Sequence, residues 1–243
     1  MSPPTLFILP SRVYNPLPLP KSSVPLLITS STASELVAFA VTYAQSSPPK
    51  GRRVLITSQD RATITANLTS SLLGHASSFL DLPSTIMAAD TIAVYHVATL
   101  AQLRVFLSNL QRSSIDFLGV DNFIRLHEVA QELSAQGLSR TLAAMVRITS
   151  STTGVLVLRE PPASVNRGVP ILNAGVGPGG SPSPATAPVL RILGRWVRGF
   201  WNQVTSGDDG EGSAEWVCRG EKWRVQWTLG DGAVENVQIS LVE

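Results

Sequence analysis

Scarcity excludes several classes of protein at once. The chain of 243 residues holds one cysteine, Cys218, so an internal disulfide and a cysteine-based metal cluster are both excluded, and nothing argues for an oxidising compartment. Its three histidines, His75, His96 and His127, stand far apart with no H-x-x-x-H or similar spacing; they read as structural or surface residues, and no metal site is expected. Charged side chains make up 15% of the sequence and the formal net charge is +2, a weak lean toward anionic partners that names none. The apolar run in the opening "MSPPTLFILPSRVYNPLPLPKSS" is too short for a membrane span and too broken by proline for a secretory signal. No G-x-S-x-G elbow accompanies the hydroxyls of Ser30, Ser31 and Thr32, and the "GVGPGG" run follows no strand and opens no helix, so hydrolase and Rossmann readings are poor.

What is present is apolar and periodic. A hydrophobic content of 44% suffices for a substantial core. Short, continuous, β-branched runs at Leu26–Thr29, Val54–Thr57, Ile92–Val97, Phe117–Val120 and Val155–Leu158 predict parallel strands covered on both faces. Between them, Leu100, Leu103, Phe106, Leu107 and Leu110 form a helical stripe, as do Leu126, Val129 and Leu133 and then Leu138, Leu142 and Met145, with a break or bend expected at Gly137. Residues 160–188 are dense in Pro, Gly and Ser and predict a long loop with no regular element. After it, "FWNQV", "EWVCRG", "KWRVQWTL" and "AVENVQISLVE" read as antiparallel strands, with a turn at "LGDG". The expected organisation is an arm or linker over residues 1–23 and one α/β domain over 24–243.

The stretch "LLITSSTASELVAFAVTYA", residues 26–44, has the strand, polar loop and helix that frame a phosphate-binding loop. The loop contains neither glycine nor lysine, the residues that let backbone amides and an ammonium group reach phosphates. Taken alone, it fits equally one strand–helix unit of an unrelated α/β protein.

The later elements extend the pattern. A second strand followed by "LITSQDR", a third strand with its helix, "IDFLGVDNF", then "GVLVLREPP" and a glycine-rich loop together resemble the ATPase core of the RecA recombinase superfamily, nearest to the eukaryotic recombinase paralogues. "APVLRILGRWVRGFW", residues 187–201, is similar to the P-x-L-G-x-x-W segment that follows the DNA-contacting loop of recombinases. The resemblance covers Val24 to Leu241 and implies a RecA-like fold: a mostly parallel central sheet flanked by helices, with a C-terminal antiparallel extension.

It also implies a nucleotide site that has degenerated. With G-x-x-x-x-G-K-[ST] laid on Thr29 to Leu36, Ser34 takes the place of the second glycine, Glu35 of the lysine and Leu36 of the magnesium-binding hydroxyl. A carboxylate 4 Å from a phosphate oxygen repels it by about 4 kcal/mol at an effective dielectric of 20. Gln59 stands where the family has the glutamate that activates water, and it cannot act as a base at neutral pH. Arg159 and Glu160 replace the polar pair that senses nucleotide, while Asp121 matches the retained Walker B carboxylate. The expectation is no enzyme activity and no cofactor.

Arg159, Arg167, Arg191, Arg195 and Arg198 surround the long loop and suit a phosphate backbone. Arg191, Arg195 and Arg198 fit equally the solvated face of a short helix over partly buried Ile192, Leu193, Trp196 and Val197. The resemblance implies a non-catalytic recombinase paralogue of the Shu type, supporting homologous recombination repair in the nucleus, with the cytoplasm as a further location. Its partners would be other paralogues or a recombinase, and single-stranded or branched DNA. Only 23 residues precede Val24, leaving no room for the recombinases' N-terminal helical domain, and the apolar arm Leu6, Phe7, Ile8 and Leu9 is the expected partner contact. The alternative is a RecA-like subunit of the Elongator hexameric subcomplex, concerned with tRNA modification.

Overall fold

The β-branched runs become strands because their side chains are apolar on both faces and find helices on both sides. A computed structural model describes residues 5–6, 17–18, 25–30, 33–46, 50–60, 62–63, 65–66, 82–110, 114–151, 154–171, 186–204, 211–218, 221–230 and 233–242. The elements begin with β1 (Thr5–Leu6), β2 (Leu17–Pro18), β3 (Leu26–Thr29), α1 (Ser34–Ser46), β4 (Arg52–Thr57), α2 (Leu82–Asp90) and β5 (Ile92–His96). There follow α3 (Leu100–Leu110), β6 (Ile115–Asp121), α4 (Phe123–Val129), α5 (Ala135–Ser150) and β7 (Val155–Glu160). The chain then forms α6 (Pro162–Val165), β8 (Gly168–Pro170), β9 (Thr186–Pro188), α7 (Val189–Leu193), β10 (Gly199–Val204), β11 (Glu211–Cys218), β12 (Glu221–Gly230) and β13 (Ala233–Val242).

One sheet of nine strands runs β13-β12-β11-β10-β3-β7-β6-β4-β5. The six strands from β10 to β5 are parallel, and β11, β12 and β13 extend the sheet antiparallel from β10. The mixed α/β class with a parallel centre is therefore as the sequence predicts. "FWNQV" pairs antiparallel with β11, as expected, and in addition β10 lies parallel to β3, Gly199 opposite Leu26 and Asn202 opposite Thr29. Its connection explains this. The turn after α7 returns the chain to the amino end of the sheet, where the Arg198 amide donates to the Pro25 carbonyl at 3.0 Å.

Helices cover both faces. α1 and α2 pack with Leu26, Ile28, Leu55, Phe117, Val157 and Trp201 on one side, while α3, α4, α5 and α7 enclose the larger core on the other. Among the described residues no helix is long and apolar enough to cross a membrane.

Three local expectations are corrected. The break predicted at Gly137 falls earlier, at Ala130–Ser134, where Gln131 adopts φ 55°. Gly137 instead lies in the first turn of α5; its amide donates to the Ser134 N-cap hydroxyl at 3.0 Å, and an added Cβ would meet the Glu132 carbonyl at 2.7 Å. Val129, placed on the apolar stripe, is exposed because α4 ends at that residue. Residues 160–188 are also not wholly irregular. Glu160 closes β7, Pro162 opens α6 at a position that tolerates proline, and β8 pairs with β9 around the buried Val169. The arm contributes Leu6 to a small β1–β2 ladder opposite Leu17, close to α1; Phe7, Ile8 and Leu9 lie outside the described residues.

Candidate functional site: a closed crest at the carboxyl ends of the parallel strands

Parallel pairing aligns residues in rows, and the last row across β4, β6 and β7 is Thr57, Asp121 and Arg159. Ile28 of β3 continues it. In open α/β sheets, ligands bind beyond these carboxyl ends, and the chain here leaves β3 toward the α1 face and β6 and β7 toward the opposite face.

Arg159 fills this position from within. Its side chain is 1% exposed. Nη1 donates to Asp121 Oδ1 at 3.0 Å, Nη2 to the Ser30 carbonyl at 2.5 Å, and Nε to Ser30 Oγ at 3.3 Å. Asp121 completes its bonding by accepting from Thr57 Oγ1 at 3.1 Å, and the same threonine oxygen accepts from the Gln59 amide at 3.0 Å. The first residue of the β3–α1 loop thus turns oxygens, not an amide, toward the crest, and those oxygens hold a cation of the protein's own. A phosphate cradle requires the opposite polarity.

The loop positions that the resemblance implies follow the same logic. Thr29 turns its hydroxyl sideways to β10, within 2.6 Å of Asn202 Oδ1 and 3.2 Å of the Trp201 carbonyl. Ser34 begins α1 and Glu35 occupies its first turn, half-buried. Leu36 is fully buried in the space over Gly119, where an added Cβ would come within 3.3 Å of its Cδ1. The place of a magnesium-binding hydroxyl is packed hydrocarbon. Gln59 sits past the end of β4, its carbonyl 2.6 Å from His96 Nδ1.

Glu160, one residue after Arg159, points to the opposite face of the sheet and is fully buried. Its Oε1 accepts from the Ile124 amide at 3.2 Å, while Oε2 has no partner among the described residues. It caps α4 from a neighbouring strand, because Asn122 at the N-cap is left-handed (φ 56°) and makes no side-chain cap bond. Burial, first, lifts the Glu160 pKa well above the usual carboxylate range; the Ile124 amide opposes this and the charge of Asp121 adds to it. Burial likewise raises Asp121, with Arg159's charge and hydrogen bond pulling it back. The sequence points to Glu160 only as the partner of Arg159 in the sensing pair, not as a helix cap, and to Thr57 only as a polar strand end.

The arginines grouped in sequence separate in space. Arg159 is interior and unreachable by a nucleic acid, which corrects its assignment as a DNA contact. Arg167 pairs with Glu128. Arg191 lies on α7, and Arg195 and Arg198 in the turn after it, all exposed, with Arg198 at the amino end of the sheet. Below them Ile192, Leu193 and Val197 are buried and Trp196 is half-buried. Among the described residues, no group of three or more His, Cys, Asp and Glu converges as a metal ion would require.

Residues 23–241 match the model of the SPAC22G7.03-like family, and the chain belongs to that family. No curated protein matches it.

Proposed function

We propose that this member of the SPAC22G7.03-like family is a non-catalytic, RecA-like recombinase paralogue that supports homologous recombination repair as a subunit of a heteromeric, DNA-binding complex. The observation that carries the reading is Arg159, seated between Asp121 and Ser30. Where the resemblance puts a nucleotide's phosphates and metal, the chain supplies one guanidinium, bonded on both sides. An anion entering there would also meet the carboxylate of Asp121. A subunit so built holds its strand ends together without ligand and acts through surfaces, with the Leu6–Leu9 arm as the partner contact and Arg191, Arg195 and Arg198 toward DNA.

The test is purification of the tagged protein from its own cells after nuclease treatment, with mass spectrometry of the stoichiometric partners. Recombinase paralogues or a recombinase are expected, with loss of assembly when residues 1–10 are removed. Recovery of Elongator subunits would keep the fold and overturn the function. The non-catalytic part is tested separately. Saturating ATP and magnesium should leave the melting temperature unchanged, whereas ligand at 100 times its Kd would stabilise by about 2.7 kcal/mol.

A further inference from the structure

We infer that the helical layer α3–α5–α7 is a surface for a nucleic-acid phosphate backbone, centred on Arg140 and Arg147 of α5. The inference deepens the DNA-binding part of the function proposed above and moves its centre away from the loop.

α5 packs between α3 and α7. Arg140 and Arg147 are two helical turns apart, so they project from one side of α5 about 10 Å from each other, and both are exposed. Arg191, Arg195 and Arg198 continue the positive charge across α7 and its following turn. None of these five forms an ion pair among the described residues. The carboxylates of the layer, Glu132 and Glu128, are engaged by Arg104 and Arg167, so they do not neutralise the five. On the opposite face of the sheet, α1 and α2 carry Glu35 and Asp90 and no cation. Among the described helices, exposed positive charge is therefore confined to this face.

The chemistry of the side chains points to phosphate. From residue 51 to residue 221 there is no lysine, so every cation of this layer is an arginine, whose planar fork bonds two phosphate oxygens at once. Between α3 and α5 runs a groove of about 350 Å³ lined by Arg104, Glu132 and Arg140 among others; Arg104 is held by Glu132, so Arg140 is the guanidinium this groove offers to phosphate oxygens. Neighbouring helix axes lie about 8–10 Å apart, so three helices span a width that suits a run of phosphates better than a single phosphorylated group. The exposed apolar residues of the layer, Val105, Val129 and Leu190, come from three separate elements and offer no insertion face for a lipid bilayer.

The test is fluorescence anisotropy of the full chain with a labelled single strand and with the duplex of the same sequence, over a salt series. Engagement of five arginines gives a slope of log K against log salt of about −3.5 for the single strand and about −4.5 for the duplex. Arg140→Glu with Arg147→Glu should weaken binding at least tenfold and flatten the slope by about 1.4 or 1.8 respectively, with the melting temperature unchanged. Arg140→Lys with Arg147→Lys should keep the slope. Unchanged binding in the double glutamate variant, with loss on reversing Arg191, Arg195 and Arg198, would overturn this surface and leave DNA binding standing. No binding of either nucleic acid at low salt would overturn both. Tighter binding of a poly-glutamate peptide of matched charge would assign the face to an acidic protein and overturn the inference as well.

Discussion

The Arg159–Asp121 pair can be taken apart one charge at a time, and the two halves should fail differently. Both side chains are 1% exposed and their contact is 3.0 Å. Removing one member of a buried pair costs about 3–5 kcal/mol, because the other is left uncompensated; for a chain of this size that is a fall in melting temperature of about 6–20 °C. Asp121→Asn strands the guanidinium with the two Ser30 oxygens, and since arginine does not deprotonate, the variant has no proton change by which to relieve that cost. Arg159→Met strands Asp121, which can escape by taking a proton. Its pKa, already raised by burial, rises further without the cation, so the cost should shrink on acidification by up to about 1.4 kcal/mol per pH unit. Arg159→Met with Asp121→Asn removes both charges and keeps an acceptor for Thr57, so it should cost less than the sum of the singles by about 2 kcal/mol, within the range seen for coupled neighbours. Urea denaturation of the four proteins at pH 5 and pH 8 supplies every term. Single costs below about 1 kcal/mol that simply add would refute the pair as the fastening of the crest.

Three further outcomes follow from neighbouring groups. Glu160 has a folded pKa far above its unfolded value near 4.5, so its contribution to stability is present at acid pH and is lost as pH rises toward the folded value. Glu160→Gln should therefore equal or exceed wild type in urea midpoint at pH 8 and lose that advantage at pH 4; a variant weaker at pH 8 would contradict this. His127 is buried, its Nε2 2.9 Å from Thr141 Oγ1, and burial lowers its pKa below 6.5. Wild-type stability should thus be kept above pH 6.5 and decline on acidification below it, and His127→Gln should flatten that decline. Gly119→Ala puts a Cβ 3.1–3.3 Å from Leu55, Phe117 and Leu36; overpacking of this kind costs about 1–3 kcal/mol, readable as a lower melting temperature with far-UV circular dichroism unchanged.

Much of the sheet was legible because its strands are written locally. Ile115–Asp121 is buried at all seven positions, and the apolar run Phe117–Val120 at its centre, bounded by two aspartates, marks a strand covered on both faces. The helical stripe of α3 was equally plain, since Leu100, Leu103, Leu107 and Leu110 all reach the core. What escaped depends on pairing between distant segments. An arginine in a sequence reads as a surface cation; Arg159 is interior only because register places it beside Asp121, 38 residues away, and beneath Ser30, 129 residues away. Asn122 is the residue type that caps a helix, yet it makes no side-chain cap bond, and the acceptor for the Ile124 amide of α4 comes instead from Glu160, 36 residues on. The second, parallel partner of β10 is not legible because its own alternation carries no information about β3, whose residues lie more than 170 positions earlier.

That last pairing also bears on how the chain assembles in time. β3 is the first strand of the nine-stranded sheet to be synthesised, yet its two neighbours are β7 and β10, which begin only at Val155 and Gly199. Loops of such length must close before β3 gains any strand contact, which makes folding slow and leaves intermediates with open edges. On the ribosome, "LLIT" waits unpaired until β7 emerges, and keeps one edge open until residue 199 and beyond follow, exposed to whatever binds nascent apolar segments. The strand that leads the core in synthesis is thus completed late, and a chain truncated before β10 would carry a strand buried at all four positions as a bare edge.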